Sequence, residues 1–511
     1  MAHTMIDVLD ATADRLPDSP YCEYEGRVTT FGAFRLQSRR VAGALVAGGL
    51  QPGERVAWLG KNCDRLLELI FGAAMARGTC VVLNWRLALT EWQDILLDSG
   101  ARVLVVDADF IEVAGTLAER LPQVIRIVAV DAGVPADARW VDYVAWRDGA
   151  VALPPQPVRA DDDFLQLYTS GTTGRPKGVP QTHAMHLSQR AQWEARLGPL
   201  PPDDRVLVFM PCFHAAGITY PLFALAYGTQ VVLHRSADPA RIMAALASGR
   251  IRTTVMVPTL MAMLVQKVQP GQFPALQRIH YGASAVDPQL LARVMDVFGC
   301  DLAQIYAATE TTAALSILTP DDHRAGRQRP QLWTSAGKPG GDAQLRIVGP
   351  DGQDAAPGEA GEILVRSGSI LRGYWRNPQA SADALHDGWY RTGDVGRIDA
   401  DGYVHVMDRL KDMIISGGEN VYSSEVENAL ADHPDLAECA VIGLPDAHWG
   451  EVVTLCAVPR PGVTLDLTAI QDHLRARLAG FKVPRRLELL SALPRNPMGK
   501  LQKQLLRASL R

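Results

Sequence analysis

The stretch YTSGTTGRPKG, residues 168–178, has the composition of a loop that could hold an anion. It contains three glycines, several hydroxyl side chains and Lys177, and it has no carboxylate. Backbone N–H groups, hydroxyls and a mobile ammonium are the donors that cradle a phosphate. The GxxxxGK[ST] spacing of a Walker A loop cannot be aligned here. The composition therefore predicts a phosphate loop of another kind, and it leaves a flexible hydrophilic connector open.

Short apolar runs alternate with amphipathic stretches on both sides of this loop. Helices are predicted over 64–78 and 89–100, the second with Thr90 as its N-cap. Alternation of this kind builds sheets that are largely parallel, so the predicted fold class is α/β. The predicted buried strands are 55–60, 80–84, 102–108, 205–211, 229–234, 253–258 and 278–284.

The pattern of residues in the sequence changes after about residue 336. Residues 343–367 contain Asp-Gly and Pro-Gly turns between apolar runs, which predicts antiparallel hairpins. A smaller α/β portion follows. We therefore predict an N-terminal domain over 1–408, a hinge over 409–412 and a C-terminal domain over 413–511.

Composition excludes several classes of protein. The formal net charge of -5 leaves no basic footprint for nucleic acid. Seven cysteines without a CxxC pair argue against a disulfide framework or a zinc site and suit a reducing, cytoplasmic setting. The first residues do not form a signal peptide. Residues 206–234 carry no Asp, Glu, Lys or Arg, but Pro211 and Pro221 interrupt them, which favours a buried strand–helix–strand over a membrane helix.

Further motifs follow the loop in a fixed order: IYAATE (305–310), WYRTGD (389–394), DRLKD (408–412) and LPRNPMGK (493–500). Together with YTSGTTGRPKG they resemble the motifs of the adenylate-forming superfamily. It comprises acyl- and aryl-CoA synthetases, peptide-synthetase adenylation domains and beetle luciferases. The resemblance covers nearly the whole chain and is closest to the acyl-CoA synthetase branch, near the benzoate-type CoA ligases.

The resemblance implies a fold and a nucleotide site. The N-terminal domain would hold mostly parallel α/β sheets and a small β-barrel-like subdomain, and the smaller C-terminal α+β domain would move as a lid about Lys411. Taken alone, each motif also fits a turn, a cap or a surface charge. The residues implied for ATP and AMP are Thr169, Ser170, Gly171, Thr172, Thr173, Gly174 and Lys177 at the phosphates, Gly282, Ala283, Ser284, Tyr306, Ala307 and Thr309 at adenine, Asp394 and Arg409 at ribose, Glu310 as the ligand of Mg²⁺, and Lys500 as the catalytic lysine.

The resemblance also implies sites for an acid and for coenzyme A. MPCFHAAG (210–217) places His214 at the acyl site, although a hydrogen-bonded core histidine fits it equally. Ala215, Gly217 and Ala308 are small enough to leave room for a substrate. No arginine lies within 206–234, so a dicarboxylate is not expected. The residues implied for CoA are Arg86, Gly417, Gly418, Trp449, Phe481 and Lys482.

The predicted function is therefore an ATP-dependent acyl-CoA ligase that acts through an acyl-adenylate and releases AMP and pyrophosphate. Its acid would be an apolar monocarboxylic acid, with a fatty acid favoured over an aryl or arylalkyl acid. Three further alternatives stay open: loading of a carrier protein, a luciferase-like oxygenase, and a non-catalytic nucleotide-binding module. The predicted partners are the acid, ATP and CoA, without nucleic acid or a transmembrane segment. Peripheral membrane contact and the choice between monomer and homodimer stay open.

Overall fold

A computed structural model describes residues 2–169, 176–284, 286–312, 314–475, 477–495 and 501–510. By its internal contacts the chain forms two compact units. Unit 1 comprises Met1–Gln344 and Val365–Tyr390, and unit 2 comprises Leu345–Leu364 and Arg391–Arg511. The domain bounds predicted from the sequence, with the hinge at 409–412, stay a prediction. The site residues that lie outside the described residues are Ser170, Gly171, Thr172, Thr173, Gly174 and Lys500.

The strands run, in chain order, as β1 (Pro20–Tyr24), β2 (Arg27–Thr30), β3 (Arg55–Leu59), β4 (Thr79–Leu83), β5 (Val103–Asp107), β6 (Arg126–Val130), β7 (Trp140–Asp142), β8 (Asp163–Thr169), β9 (Lys177–Thr182), β10 (Arg205–Val208), β11 (Gln230–Leu233), β12 (Thr253–Met256), β13 (Arg278–Gly282), β14 (Asp301–Ala307), β15 (Ala314–Leu318), β16 (Gln344–Val348), β17 (Gly361–Arg366), β18 (Leu385–His386), β19 (Trp389–Ile398), β20 (Val404–Arg409), β21 (Ile414–Ser416), β22 (Glu419–Val421), β23 (Leu436–Asp446), β24 (Gly450–Pro459) and β25 (Arg486–Leu489).

The α-helices are α1 (Met5–Arg15), α2 (Phe31–Ala47), α3 (Asp64–Met75), α4 (Leu89–Ser99), α5 (Ile111–Arg120), α6 (Tyr143–Asp148), α7 (His183–Leu197), α8 (Ala215–Tyr227), α9 (Pro239–Ala247), α10 (Pro258–Val265), α11 (Pro288–Phe298), α12 (Pro320–Gly326), α13 (Pro378–Ala384), α14 (Ser423–Ala429), α15 (Leu467–Arg475) and α16 (Lys503–Ser509).

Unit 1 is built on two large sheets. One has the order β7-β6-β5-β3-β4-β8-β9 and the other the order β15-β14-β13-β12-β10-β11-β1-β2. All neighbours in the first sheet run parallel except β8 and β9. In the second sheet only the outer pairs β14–β15 and β1–β2 are antiparallel. The α/β fold with largely parallel sheets is confirmed.

The burial of the central strands explains why their sequences are mostly apolar. Every residue of β3, β4 and β5 is buried, as expected for parallel strands that helices cover on both faces. The helix α3 is also buried along its whole length. One core contains side chains from strands of both sheets, such as Val56 in β3 and Val206 in β10. The two sheets of unit 1 therefore share one hydrophobic core.

Unit 2 contains a sheet in the order β22-β21-β24-β23, with β25 paired to β24. The long pair β23–β24 is antiparallel and β25 runs parallel to β24. The helices α14 and α15 bury Val426, Ile470 and Leu474 against this sheet. In the same unit β20 pairs antiparallel with β19 from Asp394 to Ile398.

The predicted N-cap of α4 was wrong. The helix α4 begins at Leu89, not after Thr90, and the Glu91 carboxylate accepts the N–H of the N-cap residue Ala88 at 2.8 Å. The helix α14 begins at Ser423, and its N-cap residue Tyr422 forms no side-chain capping hydrogen bond. The Ser423 N–H and hydroxyl both donate to the Asp408 carboxylate, at 2.6 and 2.7 Å. An acidic side chain from a distant segment thus caps α14.

The uncharged segment 206–234 forms β10, the helix α8 and β11, as the sequence favoured. Pro221 lies inside α8, and the helix ends at Gly228 in the left-handed conformation. Among the described residues, no helix is long and apolar enough to cross a membrane.

Gly337 is the glycine whose replacement tests this packing most sharply. It has φ +80°, and an added Cβ would lie 2.0 Å from the Ile317 carbonyl carbon, beside the isolated antiparallel bridge between Ile317 and Lys338. Gly271, in the same unit, has φ +79° with nothing within 4 Å of the added Cβ. We expect Gly271→Ala to cost about 1 kcal/mol through its backbone alone. Gly337→Ala should cost at least about 3 kcal/mol more, since clash and backbone strain add. Urea unfolding of both variants measures the difference, and equal losses would show that the described contact is wrong.

Candidate active site

The ends of the opening loop lie opposite each other in unit 1. The strands β8 and β9 are antiparallel, and Thr169 is the register partner of Lys177. The loop YTSGTTGRPKG therefore joins two adjacent strands of one sheet. Both Thr169 and Lys177 are half-buried. Two residues predicted to hold phosphates are thus fixed by a strand pairing.

A hydrogen-bonded chain supports this hairpin from within the sheet. The Gln166 amide donates to the Tyr168 hydroxyl at 3.0 Å, and that hydroxyl donates to the Asp98 carboxylate at 2.5 Å. The Trp375 backbone N–H donates to the Gly178 carbonyl at 2.8 Å, and its indole N–H donates to the Asp98 carbonyl at 2.9 Å. The position of β8 and β9 is therefore supported by contacts with two distant segments, around Asp98 and around Trp375.

Glu310 is brought next to Thr169. The Thr169 hydroxyl donates to Oε1 of Glu310 at 3.4 Å, and the Tyr374 hydroxyl donates to the same oxygen at 3.1 Å. The Gln181 amide of β9 donates to the Thr309 carbonyl at 3.0 Å. These bonds tie the turn that follows β14 to the phosphate hairpin. The structure therefore brings together Thr169, Lys177 and Glu310.

Tyr374 lies in none of the motifs found in the sequence. Its ring also lies under the Lys177 ammonium, which is 4.3 Å from the ring centroid. The only local signal was an aromatic pair after Gly373, a pattern that loops and cores share. Its partners lie 64 and 197 residues away along the chain, so no spacing rule could find it.

The segment predicted at adenine lies at the carboxyl ends of two parallel strands. Gly282 of β13 pairs with Ile305 of β14, and an added Cβ at Gly282 would lie 2.4 Å from the Ile305 carbonyl oxygen. Only glycine allows this approach. Ala283 has φ +73°, which is uncommon for a residue with a side chain. Backbone strain of this kind is often found at functional sites. Tyr306 lies near the end of the neighbouring strand, β14.

The remaining residues predicted at adenine follow the same strand ends. Ser284 is exposed one residue after Ala283, and Ala307 is exposed at the last position of β14. Thr309 opens the short turn that carries Glu310. The open edge of the sheet thus presents these residues beside the Glu310 carboxylate.

His214 is the N-cap residue of α8. Burial lowers its pKa to about 4, with the nearby Arg86 guanidinium as a second cause, so the imidazole is neutral at neutral pH. Arg86 lies over the rings of Trp85 and Phe213, at 4.7 and 6.0 Å from their centroids. The arginine predicted to meet a CoA phosphate thus lies beside the histidine predicted at the acyl site.

The small residues predicted at the acyl site differ in their surroundings. Ala215 is half-buried at the start of α8, and Ala308 is half-buried after β14. Gly217 is buried, and an added Cβ would lie 2.2 Å from the Pro211 carbonyl oxygen. The small size of Gly217 therefore serves contact between backbones at the start of α8.

In unit 2 the two residues predicted at ribose form an ion pair. The Arg409 Nε and the Asp394 carboxylate are 2.8 Å apart, and the two residues are register partners in β20 and β19. Asp394 is buried, whereas Arg409 and Lys411 are exposed. A carboxylate held in this way can accept hydrogen bonds from two neighbouring hydroxyls.

Trp449 contacts one other residue predicted for CoA, Gly417. The Gly417 N–H donates to the Trp449 carbonyl at 2.8 Å, and an added Cβ on Gly417 would lie 2.9 Å from the indole ring. The Arg485 guanidinium lies 4.1 Å from the indole centroid. Arg485 was not predicted from the sequence, although it lies three residues after Lys482. A stacked arginine beside glycines is suited to a phosphorylated, thin ligand.

The other residues predicted for CoA are placed differently. Gly418 is exposed with φ +84° and nothing within 4 Å of an added Cβ. Phe481 is exposed. The Lys482 ammonium donates to both carboxylate oxygens of Glu425 at 2.7 Å, so its charge is already paired within unit 2.

The Glu310 carboxylate and its surroundings are suited to binding Mg²⁺. Within the described part of the chain, no cluster of three or more His, Cys, Asp or Glu could hold a metal. Mg²⁺ is commonly held by one or two carboxylates together with substrate phosphates. Oε1 of Glu310 is tethered by two hydroxyls, and Oε2 has no hydrogen-bond donor among the described residues. Glu310 is therefore suited to supply the one protein carboxylate.

The family of this chain is identified by comparison with known protein families. Residues 9–375 match the family described as AMP-binding enzyme, and residues 425–500 match the AMP-binding enzyme C-terminal domain. The chain belongs to the AMP-binding enzyme family. The resemblance to adenylate-forming enzymes stated from the motifs is thereby confirmed.

Relatives of this AMP-binding enzyme match it along almost its whole length. An indoleacetate–CoA ligase of Aromatoleum aromaticum is 39% identical, over 96% of this chain and 94% of its own length. A fatty acid–[acyl-carrier-protein] ligase of Streptomyces coeruleorubidus is 35% identical, over 99% and 96%. The solved O-succinylbenzoate coenzyme A synthetase of Bacillus subtilis, in complex with ATP and magnesium ion, has a TM-score of 0.85 at 29% identity, over 98% of both chains. The AMP-binding enzyme is accordingly an acid–thiol ligase.

Gly417 offers a test of the Trp449 cluster. Gly417→Ala should push the indole ring away, because the new Cβ would lie 2.9 Å from it. We expect the KM for CoA to rise about tenfold, while acid-dependent exchange of pyrophosphate into ATP is unchanged. Steady-state kinetics with varied CoA measure the effect.

The matched control is Gly462→Ala. Gly462 lies in the same unit with φ +81° and nothing within 4 Å of an added Cβ. It bears a similar backbone cost without displacing an aromatic ring. An equal rise in the KM for CoA in both variants would rule out a specific role for the Trp449 cluster.

Proposed function

We propose that the protein activates a carboxylic acid with ATP and transfers the acyl group to the thiol of CoA, with release of AMP and pyrophosphate. The observation that carries this proposal is the convergence of Thr169, Lys177 and Glu310 in unit 1. A hydroxyl, an ammonium and a carboxylate at one sheet edge are the groups needed to hold a metal-bound triphosphate. The family and its acid–thiol ligase relatives support the same reaction.

In the first half-reaction a carboxylate oxygen of the acid attacks the α-phosphorus of ATP. The bond from that phosphorus to the bridging oxygen breaks, and pyrophosphate leaves. Thr169 and Lys177 are proposed to hold the phosphates, and Lys500 to bridge the carboxylate and the α-phosphate. The carboxylate is already ionised at neutral pH, so no general base is required. Mg²⁺ on Glu310 would offset negative charge that gathers on the phosphate oxygens.

In the second half-reaction the CoA sulfur attacks the acyl carbonyl carbon of the adenylate, and AMP leaves. Trp449, Gly417 and Arg485 are proposed to receive CoA in unit 2, and Asp394 with Arg409 to hold the ribose. The predicted domains, with Lys411 as a hinge that serves both half-reactions, are part of this proposal. The cytoplasmic setting is part of it as well.

The acid is proposed to be a compact aryl or arylalkyl monocarboxylic acid. Aromatic side chains fill the region between α7, α8 and β13: Trp193 lies 5.0 Å from Phe223 and 4.8 Å from His280 by ring centroids. Tyr220 stacks on His280, which lies two residues before Gly282 on the same face of β13. Tyr220 lies on α8, six residues after the N-cap residue His214, and we infer that these rings limit the depth available to an acid beyond His214. The packing favours a short acid over the fatty acid preferred from the motifs.

A second candidate is the loading of a fatty acid onto a carrier protein. It is favoured by the Streptomyces relative, which is named as an acyl-carrier-protein ligase and covers 99% of this chain. Both candidates share the adenylate-forming half-reaction, and they differ in the acid and in the thiol.

A panel of acids tests the proposal. AMP and thioester formation should be measured with benzoate, phenylacetate, indoleacetate and fatty acids from C4 to C18, each with and without CoA. We expect the highest kcat/KM with an aromatic acid, and AMP formation that depends on CoA. The absence of CoA-dependent AMP with every acid would reject the CoA ligase. Acid-dependent pyrophosphate exchange that CoA does not convert into thioester would favour the carrier protein.

A further inference from the structure

Tyr374 contacts both charged groups of the phosphate site. Its hydroxyl donates to Oε1 of Glu310 at 3.1 Å, and its ring centroid lies 4.3 Å from the Lys177 ammonium. We propose that Tyr374 is a positioning residue that orients Glu310 for Mg²⁺ and keeps Lys177 from pairing with that carboxylate. The proposal rests on the function proposed above and adds a residue to its metal and phosphate site.

The first role follows from the two oxygens of one carboxylate. Tyr374 and Thr169 both donate to Oε1, which fixes the plane of the carboxylate. Oε2 has no donor among the residues that the structure describes, and it is the oxygen left for a metal. Hydrogen bonds to a metal ligand are known to orient it and to raise metal affinity. Tyr374 therefore selects which oxygen of Glu310 faces the metal.

Tyr374 is itself held firmly enough for this role. It is 8% exposed, and its backbone N–H donates to the Ser381 hydroxyl at 2.8 Å. The next residue, Trp375, is bonded to Gly178 and Asp98.

The second role follows from the position of the ring. Lys177 and Glu310 have opposite charges, yet among the described residues Lys177 forms no ion pair with a carboxylate. The aromatic ring attracts the ammonium to its face while its hydroxyl holds the carboxylate at its far end. A direct ion pair would occupy the charge that each group needs for the phosphates and the metal. The ring acts as a spacer between them.

Two variants separate the two roles. Tyr374→Phe removes only the hydroxyl, so the Mg²⁺ concentration for half-maximal pyrophosphate exchange should rise about tenfold or more, with the KM for the acid unchanged. Tyr374→Leu removes the ring as well, so the KM for ATP should rise in addition. Binding of Mn²⁺ to the enzyme with a non-hydrolysable ATP analogue, followed by electron paramagnetic resonance, gives a readout independent of turnover. Tyr374→Phe should weaken it by a similar factor.

Tyr143→Phe is the matched control. The Tyr143 hydroxyl is also buried and donates to a glutamate, Oε2 of Glu68, at 3.0 Å, but it lies in α6 away from the phosphate hairpin. The Tyr143→Phe variant should leave the affinity of the enzyme for Mn²⁺ unchanged. Equal Mn²⁺ affinity in wild type and Tyr374→Phe would overturn the inference. A wild-type enzyme that binds Mn²⁺ with the nucleotide but activates no acid would instead overturn the proposed function, while the Mn²⁺ comparison still decides the role of Tyr374.

Discussion

A guanidinium is buried directly beneath the phosphate hairpin, and its burial constrains the elements around it. Arg55 is 4% exposed. Its partners are the Asp163 carboxylate at 2.6 Å, the Gln166 amide oxygen at 3.3 Å, the Gly53 carbonyl and the face of Trp375, whose centroid is 3.4 Å from the guanidinium carbon. Burial lowers the pKa of Arg55, which reflects the cost of removing a cation from water. Loss of one partner from such a buried pair commonly costs about 3–5 kcal/mol.

The contacts of Arg55 support the proposed phosphate and metal site in two ways. Asp163 and Gln166 belong to β8, so satisfying Arg55 fixes the strand that ends at Thr169. Trp375 covers the guanidinium, and the residue before it is Tyr374, which contacts Glu310 and Lys177. A buried cation thus links the pairing of the phosphate strands to the side chains that hold phosphate and metal. We infer that this shared support keeps the open sheet edge in one geometry before any nucleotide arrives.

The sequence predicted the framework well because the framework follows local patterns. Strands such as β3 and β4 are buried on both faces, and after its first residue each has an unbroken apolar sequence. The start of α4 was missed because Glu91 reaches back to the N–H of Ala88, so the helix begins without the hydroxyl cap assumed at Thr90. The order of the motifs also identified Thr169 and Glu310 as candidate site residues. In the structure the Thr169 hydroxyl lies 3.4 Å from Oε1 of Glu310. Tyr374, Asp408 and Arg485 act through contacts between segments far apart in the chain, and no local pattern encodes such contacts.

In the proposed reaction a carboxylate oxygen of the acid attacks the α-phosphorus of ATP. The most direct measurement is the fate of oxygen-18 in a substrate acid labelled in its carboxylate, after turnover with unlabelled ATP and CoA. We expect mass spectrometry to find one heavy oxygen in AMP and none in pyrophosphate, because the attacking carboxylate oxygen leaves with AMP. Label in pyrophosphate or inorganic phosphate, or AMP that stays unlabelled while thioester forms, would contradict it.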